Sequence, residues 1–278
     1  MMEVPTLIHV PRCGGTYLLG LIVEAMTAKY KRPKTSKHRA LVNISVNERI
    51  IIRAFLVSDM PIQEIIGAAV LQSSNVFRVK LDEFLAEAQN NTFDIFALII
   101  EPHGVLEIRN GLLDQMRTSA NCQLKVAMLI RHPYLRARSM FRYIKSYKSK
   151  HEISHGSISS ETFNGYVQST QFEDSWIIRG LMGVPATRAL TDADVEATFN
   201  FISDFDIADV LEADALFNST MKNSCQDFEL KSFDRSRIFM NESDCRVSRM
   251  GDEELIFNRV AEFDIKLYEK LLRRSKGR

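Results

Sequence analysis

Short apolar runs rich in β-branched residues alternate with amphipathic stretches through the first half of the chain. Residues 4–10 form the first run; it stops at Pro11 and the turn Arg12-Cys13-Gly14-Gly15-Thr16, after which residues 17–26 carry helical spacing. A basic stretch at 29–39, with six Lys/Arg, reads as an exposed loop, and residues 47–71 read as helical with an interruption at Pro61. A short strand is expected at 76–80, followed by a helix capped by Asp82 and running to Gln89. Two further strong strands, 93–100 and 124–130, each end in a polar turn and lead into helices at 105–117 and 133–148. Beyond residue 157 the pattern is mostly helical, at 160–170, 175–182, 192–202, 213–221 and 252–273, with one more strand at 205–211.

Strands alternating with helices predict an α/β fold of three layers, with a central, mostly parallel sheet flanked by helices and a helical C-terminal half. The chain has 278 residues and 45% hydrophobic positions, enough for a full core, and shows no repeat, low-complexity tract or linker, so residues 1–278 read as one domain. Lys+Arg number 36 against 35 Asp+Glu, a net charge of +1, which argues against a dedicated nucleic-acid binder. No apolar run approaches the ~20 residues that span a bilayer, and no basic leader opens the chain, so a soluble cytoplasmic protein is expected. Cys13, Cys122, Cys225 and Cys245 are scattered without metal-ligand spacing, and no metal site is expected; the pairing of Cys225 with Cys245 is left open.

In an open α/β sheet, ligands bind beyond the carboxyl ends of the strands. The turns expected there carry Arg12, Gly14, Gly15 and Thr16, then His103 and Gly104, then Arg131 and His132, a set suited to anions. Paired glycines before a helix start expose backbone N–H groups, and the Thr16 hydroxyl adds a donor, which together make a phosphate or sulfate cradle. No lysine precedes the Thr, so this is not a Walker A loop. Arg131 at a strand end and Ser139 two turns into the next helix can clamp one phosphate from two sides.

Residues Ile8 to Thr16, reading I-H-V-P-R-C-G-G-T, resemble the 5′-phosphosulfate loop of carbohydrate sulfotransferases, H-I-P-K-T-G-G-T. Leu129 to Phe141, reading L-I-R-H-P-Y-L-R-A-R-S-M-F, resemble the 3′-phosphate motif of the same family, L-R-D-P-x-x-R-x-x-S-x-Y. The resemblance is to the branch that includes heparan sulfate 2-O-sulfotransferase. Weaker similarity continues around Arg179 and into the final helix. The resemblance implies a P-loop-like fold and the donor 3′-phosphoadenosine-5′-phosphosulfate, with adenosine 3′,5′-bisphosphate as product. It also implies sulfuryl transfer to a hydroxyl of a carbohydrate or similar acceptor.

By the same resemblance, Arg12, Cys13, Gly14, Gly15, Thr16 and Tyr17 hold the 5′-phosphosulfate, while Arg131 and Ser139 hold the 3′-phosphate. Arg12, standing where the family carries lysine, neutralises charge on the leaving phosphate but is a poor proton donor. His103 resembles a family histidine and is the candidate base, with Glu101 in reserve. Arg179 is a candidate contact to nucleotide or acceptor. An anionic glycan acceptor would suit the basic stretch at 29–39 and the lysines at 145, 148 and 150. Two alternatives remain at this stage: a nucleotide or small-molecule kinase, and an inactive nucleotide-binding module on the same fold.

Overall fold

The structure is a computed structural model; it describes residues 2–13, 38–65, 76–90, 92–148, 162–169, 172, 174–210 and 252–276. The strands are β1 (Met2–Ile8), β2 (His38–Val46), β3 (Arg49–Ser58), β4 (Val76–Lys80), β5 (Asp94–Ile100), β6 (Cys122–Ile130) and β7 (Ile207–Val210). The helices up to the middle of the chain are α1 (Ile62–Ile65), α2 (Leu81–Gln89), α3 (Val105–Arg109), α4 (Leu112–Ala120) and α5 (Pro133–Lys148). Those after it are α6 (Phe163–Val167), α7 (Trp176–Met182), α8 (Asp192–Ser203), α9 (Asp252–Val260) and α10 (Glu262–Lys276). The turn through Gly14, Gly15, Thr16 and Tyr17, residues 29–37, the expected helix at 213–221, Cys225 and Cys245 lie outside the described residues.

The strands form one seven-stranded sheet in the order β4-β2-β3-β5-β1-β6-β7. β1 pairs parallel with both β5 and β6, β6 pairs parallel with β7, and β2 pairs parallel with β4. Only β3 opposes its neighbours, pairing antiparallel with β2 and with β5. The sheet is therefore mixed, and the α/β expectation holds at that level.

Of residues 47–71, expected to be helical, 47–58 hold instead the turn and second strand of a hairpin, 62–65 are helical, and 66–71 lie outside the described residues. Asn47 and Glu48, at φ 47° and 64°, make a two-residue turn of the kind that matches strand twist, and Val46 pairs directly with Arg49. β3 reads Arg-Ile-Ile-Ile-Arg-Ala-Phe-Leu-Val-Ser and is buried from Phe55 to Ser58 without alternation. A strand covered on both faces loses the period of two that would distinguish it from a buried helix. His38 and Arg39, expected in a loop, open β2 and remain exposed. The expected helix 105–117 is split into α3 and α4 because Asn110 is followed by Gly111 at φ 88°, a left-handed conformation that ends the first helix. The expected helix at 252–273 likewise divides at Ala261 into α9 and α10.

A main core of buried aliphatic residues from all seven strands takes in Phe84 of α2, Leu112 and Met116 of α4, Ile202 of α8, and Leu267 and Leu271 of α10. A second cluster, largely aromatic, joins α5, α6 and α9 through Phe141, Phe163, Tyr166 and Phe257. Between these clusters lies a buried carboxylate. Asp264, 1% exposed, accepts the backbone N–H groups of Ile177 (2.9 Å) and Ile178 (3.0 Å) at the start of α7. The buried Arg136 guanidinium of α5 lies 4.9 Å over the Trp176 ring and offsets part of the cost of the Asp264 charge. Three helices are thus tied at one point.

Burial pushes the Asp264 carboxyl up to about 6, against the opposing pull of Arg136 and the two N–H groups. A carboxyl whose folded value exceeds its unfolded value takes up a proton in favour of the folded state. Its contribution is full below about pH 4 and is lost as pH rises through 6. Asp264→Asn, which stays neutral, should therefore gain roughly 2–3 kcal/mol on the wild type between pH 4 and pH 7. Urea denaturation at a series of pH values measures the difference; a gap independent of pH would contradict this.

Candidate functional site

The direction of the connections changes at β1. The chain leaves β1 toward β2 on one side of the sheet, whereas β5 passes across β1 to β6, and β6 continues outward to β7. Such a switch leaves a crevice beyond the carboxyl ends of the parallel strands. Three turns meet there: residues 9–13 after β1, 101–104 after β5, and 131–133 after β6.

The turn after β1 is closed by the Cys13 N–H donating to Val10 O (3.2 Å). Arg12 takes φ 67°, a left-handed conformation that is costly for a residue with a side chain. That backbone is held while the side chain crosses to α5, where Nε donates to Ser139 Oγ at 3.0 Å over a separation of 127 residues. The guanidinium also lies 4.9 Å from the centroid of Tyr143, one turn beyond Ser139. Arg12 has no carboxylate partner among the described residues.

Burial lowers the proton affinity of Arg12 most; Tyr143 opposes this, and the nearby charge of Arg131 adds to it. A half-buried guanidinium next to a second one, with no acid paired to it among the described residues, is an electrostatic arrangement that an anion would relieve. The Ser139 hydroxyl accepts from Arg12 and so keeps its own proton to donate.

Cys13, expected to line the phosphosulfate cradle, serves the turn instead. It is 3% exposed and part of the main core, with Sγ directed at Pro11 O (3.8 Å) and its N–H already used. Arg131 is half-buried directly after β6, and His132 packs edge-on against Tyr268 of α10 at 4.9 Å. Lys145 lies over the Phe141 ring on the exposed side of α5.

The turn after β5 is anchored through its backbone. Glu101 N–H donates to Ile51 O of β3 (2.9 Å), and His9 N–H donates to Ile100 O (2.8 Å). Gly104 sits so close to the Ile51 carbonyl that a Cβ would overlap it, so only glycine fits this approach. The Glu101 side chain, 11% exposed, joins two strands: Oε2 lies 3.1 Å from His9 Nδ1 and Oε1 lies 2.7 Å from Arg53 Nε of β3. Burial pulls the Glu101 carboxyl upward more than any other single influence. The His9 hydrogen bond and the charges of Arg53, His9 and His103 together outweigh it and hold the carboxyl below its usual range. Glu101 is therefore an ionised anchor with both oxygens engaged, which removes it as a reserve base. His103 stands exposed on the turn Pro102–Gly104.

Arg179, a candidate ligand contact by sequence, is committed to the fold. It is 5% exposed and forms a fork with Asp174 (3.0 Å to each oxygen), while its third nitrogen donates to Pro185 O (2.8 Å) and Arg188 O (2.9 Å). These bonds pin the segment that links α7 to α8.

Three site residues were not foreseen from the sequence: His9, Arg53 and Tyr143. Each left a signal. His9 stands three residues before Arg12 of the glycine turn, Arg53 is a charge inside an apolar strand, and Tyr143 is one helical turn from Ser139. Among the described residues, no group of three His, Cys, Asp or Glu is arranged to hold a metal, and no helix is long and apolar enough to cross a membrane. Comparison with protein-family models, with curated proteins and with solved structures gives no match.

Arg179→Lys keeps the charge but cannot reproduce the fork or reach both carbonyls. It should lower stability by about 2–4 kcal/mol in chemical denaturation. Wild-type stability in this variant would show that the four bonds are dispensable.

Proposed function

We propose that this chain is a sulfotransferase on a P-loop-like fold, taking 3′-phosphoadenosine-5′-phosphosulfate as donor and a hydroxyl of a carbohydrate or similar molecule as acceptor. The observation that carries the reading is the Arg12–Ser139 hydrogen bond. It joins the residue expected at the 5′-phosphosulfate to the one expected at the 3′-phosphate, from two motifs far apart in the chain. A chance resemblance in two short segments has no reason to put their charged and hydroxyl groups within bonding distance at the carboxyl ends of adjacent parallel strands.

In this reading Arg12 faces the bridging region between phosphate and sulfate, where negative charge grows as the sulfuryl group leaves. Its guanidinium supplies electrostatic stabilisation without giving up a proton. Arg131 and Ser139 supply a charge and a hydroxyl to the 3′-phosphate, fixing the nucleotide so that the acceptor oxygen attacks in line. The backbone N–H groups of Gly14 and Gly15, with Thr16 and Tyr17, complete the cradle by sequence. The acceptor hydroxyl loses its proton to a histidine at the β1–β5 edge, where His103 and His9 both stand. An anionic glycan is the acceptor class the basic residues around 29–39 would attract.

Calorimetry without magnesium tests this directly. Adenosine 3′,5′-bisphosphate should bind in the micromolar range while ATP binds weakly, and Arg131→Ala should weaken the bisphosphate by about 1.5–3 kcal/mol. Folded protein that ignores the bisphosphate, or prefers magnesium-ATP, would reject the proposal in favour of a kinase.

A further inference from the structure

The geometry points to His9, rather than His103, as the proton acceptor of the site, held in its working tautomer by Glu101. This assignment rests on the sulfuryl-transfer reading above. It begins with the Glu101 carboxylate, which is buried at the junction of three strands and has a separate partner for each oxygen. The Arg53 guanidinium of β3 forms an ion pair on the Oε1 side at 2.7 Å, and Oε2 faces the imidazole Nδ1 at 3.1 Å. An ionised carboxylate can only accept, so in the neutral ring the proton sits on Nδ1 and the lone pair on Nε2. Nε2 has no partner among the described residues.

His9 and His103 differ in what holds them. His103 is exposed on a short turn and has no hydrogen bond that would select its tautomer. His9 is three-quarters covered, follows β1 directly, and has its backbone N–H fixed to Ile100 O at 2.8 Å. It also lies on the same short turn as Arg12, the residue assigned to the leaving phosphate. A base must stand beside the reacting hydroxyl in one protonation state and one orientation, and a carboxylate behind the ring provides both while stabilising the imidazolium that forms. The charged groups facing this ring are Glu101 itself and, behind it, Arg53 and His103.

The step balances without any further reactant. As the acceptor oxygen forms its bond to sulfur, its proton passes to His9 Nε2. The bond between sulfur and the bridging oxygen breaks, and its electron pair leaves on the 5′-phosphate of adenosine 3′,5′-bisphosphate. The proton is then released from the imidazolium to solvent. Glu101 is a positioning residue in this scheme.

Two measurements on the full chain test the assignment. Nitrogen-15 spectra of the imidazoles at neutral pH should show His9 protonated on Nδ1 and bare on Nε2. In the same protein, sulfuryl transfer from labelled donor to desulfated heparin-type glycan and to water should fall at least about 100-fold in His9→Asn. Bisphosphate affinity in that variant should stay within about twofold of the wild type, a split that a merely structural role for His9 would not produce. A neutral His9 carrying its proton on Nε2 would overturn the assignment, as would transfer kept in His9→Asn but lost in His103→Asn. Either result leaves the sulfotransferase reading standing. Absence of bisphosphate binding by the folded wild type removes that reading and the assignment together, and bisphosphate binding with no transfer to either acceptor makes the chain a binding module and does the same.

Discussion

β1 lies between β5 and β6, and the chemistry available at the crevice follows from that placement. A strand paired in parallel on both sides, with Val4 and Ile8 buried, cannot shift its register without exposing the core. The turn that follows it is therefore delivered to one place, with the turns after β5 and β6 on either side. Arg12 departs from ordinary backbone geometry at that point and reaches Ser139 of α5. The strain is held there because β1 and α5 are both fixed by burial, which is the usual setting for strained residues at sites of function.

Two buried carboxylates organise the surroundings in different ways. Glu101 bridges β1 and β3 through His9 and Arg53 and stays ionised, so it sets the orientation of a titratable ring at the edge of the crevice. Asp264 sits deeper, where burial outweighs its N–H donors and Arg136, and its role is to tie α10 to α7 behind α5. The difference is one of compensation. A carboxylate with an arginine and an imidazole N–H at its two oxygens is cheap to ionise, and one fully buried with a single cation near it is not.

Much of this architecture was legible in the sequence, for physical reasons that can be named. The strands of the crevice announce themselves as apolar β-branched runs ended by polar turns, and β7 emerged in the same way from a short run near Phe205. The hairpin of β2 and β3 did not, because β3 is covered on both faces and carries no alternation. The split between α3 and α4 was carried by the Asn110-Gly111 pair, a turn signal outweighed by the apolar spacing around it. At the candidate site, motif spacing singled out Arg12, Arg131 and Ser139, and the structure brings Arg12 and Ser139 within bonding distance with Arg131 nearby. Spacing does not say which way a side chain turns, and that of Cys13 turns into the core. Arg179 was misjudged for a related reason: its partners Asp174, Pro185 and Arg188 come together only once α7 and its exit loop are folded.

The unity of the crevice is the claim on which the functional reading stands, and a double-mutant cycle measures it in one number. Arg12→Ala, Ser139→Ala and the double variant are compared for affinity toward adenosine 3′,5′-bisphosphate by calorimetry. If the two turns build one anion site, the losses will be non-additive by about 0.5 kcal/mol or more. Losses that simply add, or that vanish in both single variants while the protein stays folded, would mean that the two motifs meet in space without sharing a ligand.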